Sequence, residues 1–350
     1  MQKKRLPIRT KRKANFTAFL FFICLCMLVS CTDDASLSSD HWNEDGSCPV
    51  ILRLDVNGFA SEGTTRGIVA GNADENLIND IWVFQFNAAT GKSLHEPVYL
   101  YDFNSNDIEV NLTQNSDGSQ SRICIVANTG DEYWAKNTDG TTVEEFNTYN
   151  SFLLQAIPDD AAKPFLSSNF GSSAENGRAI PMSGISKDMA ITSKCYVSVP
   201  LYRMFAKVDV AVDKAYIPEG MAIKKLSFSN IPAYCRVGTL ESDDDTQMAT
   251  YPDNIWNEEK YDCGNTSGAI LYVPENLQGK VNDMTSKQEA DKESIPEHAL
   301  AIHLLVSYGE GKEHTYTVYP GLDTKNDFNV KRNHIYDVNL KIENLPNSDN

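Results

Sequence analysis

The sequence predicts a mainly β protein made of two tandem β-sandwich domains with a short helix or two. Three observations carry that reading. Short apolar runs rich in β-branched and aromatic residues recur along the chain between turn residues. Helical spacing of apolar residues is convincing over one stretch of the first half, and long polar or acidic loops separate the runs of the second. A chain of 350 residues has room for about two domains, at roughly 150 residues each.

The N-terminus is set aside before the fold is read, because it has the order of a targeting segment. Lys3, Lys4, Arg5, Arg9, Lys11, Arg12 and Lys13 precede an apolar run from Phe16 to Val29 that is shorter than the ~20 residues a spanning helix needs. The run closes on Leu28-Val29-Ser30-Cys31, which resembles a bacterial lipobox; the alternative is an ordinary secretory signal with a chance cysteine. The lipobox resemblance implies cleavage before Cys31 and acylation of that residue, giving an outer-membrane lipoprotein precursor. Several acyl chains anchor stably, since each buried methylene contributes about 0.8 kcal/mol. Cys31-Thr32-Asp33-Asp34 resembles the acidic export tag of surface lipoproteins. Loss of residues 1–30 removes seven basic and no acidic residues, taking the net charge from −17 to −24. Such an acidic chain argues against nucleic acid as a partner, which requires a basic footprint.

Residues 31–46 read as a polar tether. Pro49 to Val56 reads as the first strand, with proline tolerated at its start. The segment that follows, Glu62 to Asn76, is small, polar and acidic apart from Arg66. Ile78 to Phe86 is apolar enough for a strand buried on both faces. Ile108 to Leu112 alternates cleanly and should keep one face in solvent, and Arg122 to Ala127 is a further apolar strand. Val143 to Ile157 is the expected helix, with Phe146, Tyr149, Phe152, Leu153 and Ala156 on one face. Cys195 to Val212 is too long for one strand, and Pro200 is expected to interrupt it, so two strands with a domain boundary between them are predicted. Domains are thereby placed at 47–202 and 203–350. Strands follow at Ile223–Phe228, Ala269–Val273, Ala299–Ser307, His314–Tyr319 and His334–Ile342.

The motifs of common enzymes are missing. The chain has no G-x-S-x-G elbow, H-E-x-x-H, phosphate loop or dinucleotide fingerprint. Six scattered histidines lack metal-ligand spacing, and Asp243-Asp244-Asp245 lacks the alternation of a calcium loop, so neither cofactor nor metal is expected. Of eight cysteines, Cys48, Cys124, Cys195, Cys235 and Cys263 lie beyond the signal. This odd, spread set is no disulfide framework, although a Cys235–Cys263 bridge stays open. Cys124 and Cys195 read as buried thiols.

Several segments in order resemble the fimbrillin family of Bacteroidota-type lipoprotein pilus subunits. They are the lipobox, tether and first strand; Arg66 followed by Gly67; Asp74-Glu75-Asn76; Ile78 to Phe84; Ile180 to Gly184; Leu201 to Val208; Tyr272 to Asn276; and Phe328 to Val338. The resemblance implies transthyretin-like sandwiches and a structural role, without catalysis, in a cell-surface fimbrium serving adhesion or biofilm formation. It further implies that an arginine-specific protease cuts between Arg66 and Gly67, removing the first strand. A bared groove of this kind is a template for a strand from another subunit. The head-to-tail contact then extends as a filament of like or related subunits. The expected donor is the C-terminal strand, with Tyr336, Val338, Leu340 and Ile342 on one face. Equally open is that these residues close the second sandwich of their own chain. Other functions retained are an anchor or tip subunit, a glycan-binding surface lipoprotein using Trp42, Trp134 or Trp256, and a surface hydrolase. Trp82 is assigned to the core.

Overall fold

The computed structural model describes residues 43–44, 46–61, 67–69, 71–130, 148–153, 156–158, 165–166, 179–232, 234–238, 256–257, 261–282, 284–287 and 291–342. In chain order, the strands are β1 (Ser47–Val56), β2 (Phe59–Ser61), β3 (Gly67–Val69), β4 (Asp80–Asn87), β5 (Val98–Tyr101), β6 (Asp107–Thr113) and β7 (Ser121–Ala127). A one-turn helix α1 (Tyr149–Leu153) follows, then β8 (Ala156–Pro158), β9 (Phe165–Leu166), β10 (Met182–Ile185), β11 (Tyr196–Arg203) and β12 (Phe205–Val212). The remainder supplies β13 (Ala222–Ser229), β14 (Ile231–Pro232), β15 (Tyr234–Arg236), β16 (Trp256–Asn257), β17 (Tyr261–Asp262), β18 (Gly268–Pro274), β19 (Ala301–Tyr308), β20 (Lys312–Val318) and β21 (His334–Leu340).

These strands make a seven-stranded sheet in the order β5-β4-β7-β10-β11-β1-β6, a six-stranded sheet β3-β2-β21-β12-β18-β9 and a four-stranded sheet β17-β13-β19-β20. The chain passes from the first sheet to the second at Met204, which is fully buried between β11 and β12. The fold is mainly β, as the sequence predicts, and it is of the β-sandwich class. The six- and four-stranded sheets face each other across a core that includes Val208, Val210, Leu226, Phe228, Leu304 and Val306. A second core, with Leu52, Leu54, Ile81, Ile125 and Val199, belongs to the seven-stranded sheet. A third joins the two systems through Phe59, Phe84, Phe86, Val126, Phe205 and Tyr272. β4 serves two of these cores: Ile81 and Val83 enter one, Phe84 and Phe86 the other. It is therefore buried on both faces as expected, and β6 alternates exposed and buried residues as its sequence demands.

Three expectations are corrected, for the helix, Pro200 and Trp82, and the open question of a Cys235–Cys263 bridge is answered. The helix is short, because Ala156 and Ile157, expected at its C-terminal end, pair in β8 with Arg236 and Cys235 of β15. Pro200 lies inside β11 without breaking it. It sits opposite Asp55 of β1, and the β10 pairing ends one residue away at Gly184–Leu201, so no ladder donor is missed there. A Cβ on Gly184 would collide with the Pro200 carbonyl, which explains the glycine. Cys235 and Cys263 are free thiols, as are Cys48, Cys124 and Cys195; the Cys235 thiol instead donates to the Met204 carbonyl at 3.0 Å. Finally, Trp82 is half-buried rather than core, its indole N–H donating to the Gly130 carbonyl at 2.8 Å while the ring tilts against Tyr99.

Candidate functional site

The site is built from β1, the hairpin that follows it, and the strand β21 against which that hairpin lies. β1 is an interior strand. It runs parallel to β11, from Ile51 opposite Tyr196 to Val56 opposite Leu201, and antiparallel to β6. Cys48, Val50, Leu52 and Leu54 are each at most 1% exposed, while Arg53 and Asp55 face solvent. Burial of three branched aliphatic side chains and a thiol stabilises the inserted strand by roughly 6–10 kcal/mol. The bidentate Arg53–Asp107 pair, at 2.9 and 2.8 Å, adds little because both side chains are about half exposed.

After Val56 the backbone leaves this sheet. Asn57-Gly58 carries it across, and β2 joins the other sheet, parallel to β21 with Ala60 opposite His334 and Ser61 opposite Ile335. β3 then returns antiparallel to β2, and Gly67 pairs with Ser61. Arg66, with residues 62–65, lies outside the described residues; the Arg66–Gly67 bond joins that segment to the first residue of β3, the edge strand of its sheet. The segment before Arg66 thus holds β2 as well as the expected first strand, Pro49 to Val56, so a cut at Arg66 would separate one strand from each of two sheets.

At the crossover stands Arg203, the last residue of β11, with no exposed surface. Its Nε donates to the Glu75 carbonyl at 2.9 Å, and Nη1 donates to the Asn57 carbonyl at 2.7 Å and to Asn333 Oδ1 at 2.9 Å. Nη2 donates to Asn76 Oδ1, and the guanidinium lies over the Phe59 ring, 4.0 Å from its centroid. Burial lowers the Arg203 pKa to about 10, which still leaves it charged at neutral pH. Asn333 completes the clasp. It donates through Nδ2 to the Gly58 carbonyl at 2.7 Å, accepts from the Ala60 N–H at 2.8 Å, and takes a left-handed φ of 55°, which asparagine tolerates better than most residues.

Beside Arg203, Glu75 ties the loop after β3 to the second sheet. Its Oε1 accepts from Lys207 Nζ at 2.8 Å and the Tyr272 hydroxyl at 2.5 Å, and its Oε2 from the Asn72 N–H at 2.7 Å. Burial pushes this carboxyl upward, but the bonds from Lys207, Tyr272 and Asn72 together outweigh it and hold the pKa below the usual carboxylate range. Burial and the bond to Glu75 raise the Tyr272 phenol well above its ordinary value. A second buried pair, Arg332 with Glu275 at 2.9 Å, comes from the segments that also supply Asn333 and Tyr272, and Arg332 also donates to the Val237 and Gly238 carbonyls at 3.1 Å.

The expected donor residues sit in their own chain. β21 is held between β12 and β2, parallel to both. Tyr336, Leu340 and Ile342 are buried in the core between the six- and four-stranded sheets, and Val338 packs against it half-buried. Cys31, Trp42, Trp134 and Asp243–Asp245 lie outside the described residues, and the side chain of Trp256 is likewise not described. Of the histidines, His303 is satisfied across strands by Ser229 at 2.7 Å and Thr317 at 3.1 Å. Among the described residues, no group of His, Cys, Asp and Glu is placed to hold a metal ion, and no helix is long and apolar enough to cross a membrane.

Sequence reasoning missed the clasp, although its signal was present. Glu75 and Asn76, Arg203 and Lys207, Tyr272 and Asn333 all come from segments that carry the fimbrillin resemblance. What those segments share is a single buried polar junction.

Comparison with protein families matches residues 271–340 to a Domain of unknown function (DUF4906), a span that runs from β18 to the end of β21. No curated protein matches the chain. Among solved structures, the tip fimbrial protein Mfa3 from Porphyromonas gingivalis, in a C-terminally truncated form, superposes with a TM-score of 0.50 at 16% identity, covering 86% of this chain and 96% of its own. A candidate cell adhesion protein from Parabacteroides distasonis superposes with a TM-score of 0.53 at 16% identity, covering 84% and 88%. At this identity the likeness establishes a shared fold.

Proposed function

We propose that the chain is a structural subunit of a bacterial surface fimbrium, in which the segment ending at Arg66 is a removable placeholder for a strand supplied by another subunit. The observation that supports this most directly is the position of β1, an interior strand between β11 and β6 whose link to the rest of the chain runs through the β2–β3 hairpin. Its removal leaves unpaired N–H and C=O groups on β11 and β6 and an apolar trough where Val50, Leu52 and Leu54 lay, a template for β-augmentation. The fold shared with a tip fimbrial protein agrees with this use. On the same reading the precursor is held at the outer membrane through a lipid on Cys31, Arg66 is the processing site of an arginine-specific protease, and the chain divides into domains at 47–202 and 203–350, with β2, β3 and β9 of the first stretch added to the sheet of the second. Incubating purified precursor with such a protease tests it. A new N-terminus at Gly67 and a ladder on a non-boiled gel are expected; trimmed chains that stay solitary overturn the assembly reading.

A second reading is favoured by one feature, the seating of β21. A subunit at the end of a filament needs only one half of a strand-exchange contact. A chain that keeps Tyr336, Leu340 and Ile342 in its own core fits a tip position, accepting a strand without giving this one. Labelling of intact filaments distinguishes the two: signal along the shaft supports a repeating subunit, signal at one end a terminal one.

A further inference from the structure

We propose that the Arg203 pocket is the specificity site of the first-strand slot. It selects, among segments able to lie against β11, those that present a backbone carbonyl followed two residues later by a flat aromatic ring. This deepens the placeholder reading and rests on it. The trough beneath β1 is apolar and repetitive, so by itself it accepts almost any alternating strand and fixes register only to a multiple of two. Arg203 breaks that degeneracy. One Nη1 bond is satisfied by the carbonyl of Asn57, and one guanidinium face is covered by Phe59. Asn333 reads the positions on either side of that ring, its Nδ2 donating to the Gly58 carbonyl and its own backbone carbonyl accepting from the Ala60 N–H. Because Arg203 has no exposed surface, a segment lacking these features leaves a buried cation with a missing acceptor and an uncovered face. A segment shifted by two residues along β11 still offers Arg203 a backbone carbonyl but carries the ring away from its guanidinium face. The incoming partner is therefore defined chemically, as an alternating strand that ends in a crossover bearing an aromatic residue.

The test uses the full chain with a site for an unrelated sequence-specific protease built into residues 62–66, cut so that the segment through Ser61 is held noncovalently. Release of that segment in a urea series is followed by size exclusion. Phe59→Ala is expected to release at least about tenfold faster than the parent, and Arg53→Ala, at the exposed pair, within about twofold of it. The decisive variant is pentafluorophenylalanine at position 59, which nearly keeps the shape of the ring but inverts its quadrupole. Release several-fold faster than the parent supports reading of the ring by the guanidinium. Release at the parent rate, with Phe59→Ala still fast, means that only bulk is sensed and overturns the proposal, as does Phe59→Ala leaving no faster than the parent. These changes lie on the departing segment, so the body that carries Arg203 is identical throughout. The cut is engineered, so a failure of natural processing at Arg66 or of filament formation is scored separately from this result.

Discussion

Replacing Glu75 by Gln isolates the electrostatics of the junction with almost no change of shape. The parent carboxylate takes hydrogen bonds on both oxygens, from Lys207 and Tyr272 on one and from the Asn72 N–H on the other. A carboxamide has a single acceptor oxygen. Turned toward Asn72, it aims its NH2 donors at an ammonium and a hydroxyl; turned the other way, it aims them at a backbone N–H. At least one of the three bonds is lost in either case, two where the oxygen turns toward Asn72, and Lys207 is left as a cation without its counter-ion. Breaking a fully buried pair costs about 3–5 kcal/mol. The Lys207 side chain is 18% exposed against 5% for Glu75 and can draw part of its hydration from solvent, so about 2–4 kcal/mol is expected at neutral pH. The pH dependence is the sharper test. Because the folded-state pKa of Glu75 lies below its unfolded value, the unfolded chain binds the proton first, and the stabilisation present above about pH 5 is lost as pH falls through the folded pKa. Urea unfolding of parent and Glu75→Gln at a series of pH values from neutral to acid should show their difference shrinking with acidification. A difference that stays constant with pH would mean that the carboxylate charge is not what holds the junction.

Three further outcomes follow from the same geometry. Gly71→Ala should cost about 1–3 kcal/mol in urea unfolding, since a Cβ there collides with Arg203 Nη2 and Asn76 Oδ1, and Arg203 is pinned by its other bonds. Lys287 is buried over the Phe328 ring and donates to the Asp323 carbonyl at 2.6 Å, with burial lowering its pKa to about 8. The unfolded chain then holds the extra proton between about pH 8 and 10.5, so the parent should gain up to roughly 3 kcal/mol over that range relative to Lys287→Met. Native-state alkylation should spare Cys124 and Cys235, which are at most 2% exposed, and label Cys195 and Cys263 first, with all five reacting in denaturant.

What was legible in the sequence is what periodicity and composition encode locally. β1, β6 and β19 show their buried faces as alternating apolar residues, and the break between β11 and β12 is forced by length alone. The helix was overdrawn because apolar spacing at Tyr149, Phe152 and Leu153 runs on into Ala156, whose pairing partner in β15 lies about eighty residues away and leaves no local trace. The three residues of β2 are too few to show a period, so the hairpin that makes the segment before Arg66 span two sheets was hidden. Arg203 reads as an ordinary charge following a tyrosine. Its burial follows from three segments distant in sequence, those of Asn57 and Phe59, of Glu75 and Asn76, and of Asn333, converging on one guanidinium, and only the occurrence of the last two in the fimbrillin resemblance hinted at it.

The segment before Arg66 contributes a strand to each of two sheets, so on the proposed reading its removal would act on the C-terminal strand of the same molecule, and magnitudes decide how far. Loss of residues through Arg66 takes from Asn333 its bonds with Gly58 and Ala60, takes from Arg203 its bond to Asn57, and bares the β21 edge that β2 had covered. At about 0.5–1.5 kcal/mol net per hydrogen bond, the three bonds amount to roughly 2–4 kcal/mol. Against this stand Tyr336, Leu340 and Ile342, buried in the core and each contributing about 1.5–3 kcal/mol, with the parallel ladder to β12 from Lys207–Ile335 to Val212–Leu340 intact. The remaining hold exceeds the loss, so trimming loosens the entry to β21 at Asn333 without freeing the strand. For this chain to give β21 to a neighbour, the neighbour's slot must more than match a core that β21 already occupies, whereas accepting a strand in place of β1 requires only that the vacated trough be refilled. That asymmetry favours the terminal reading over the repeating one.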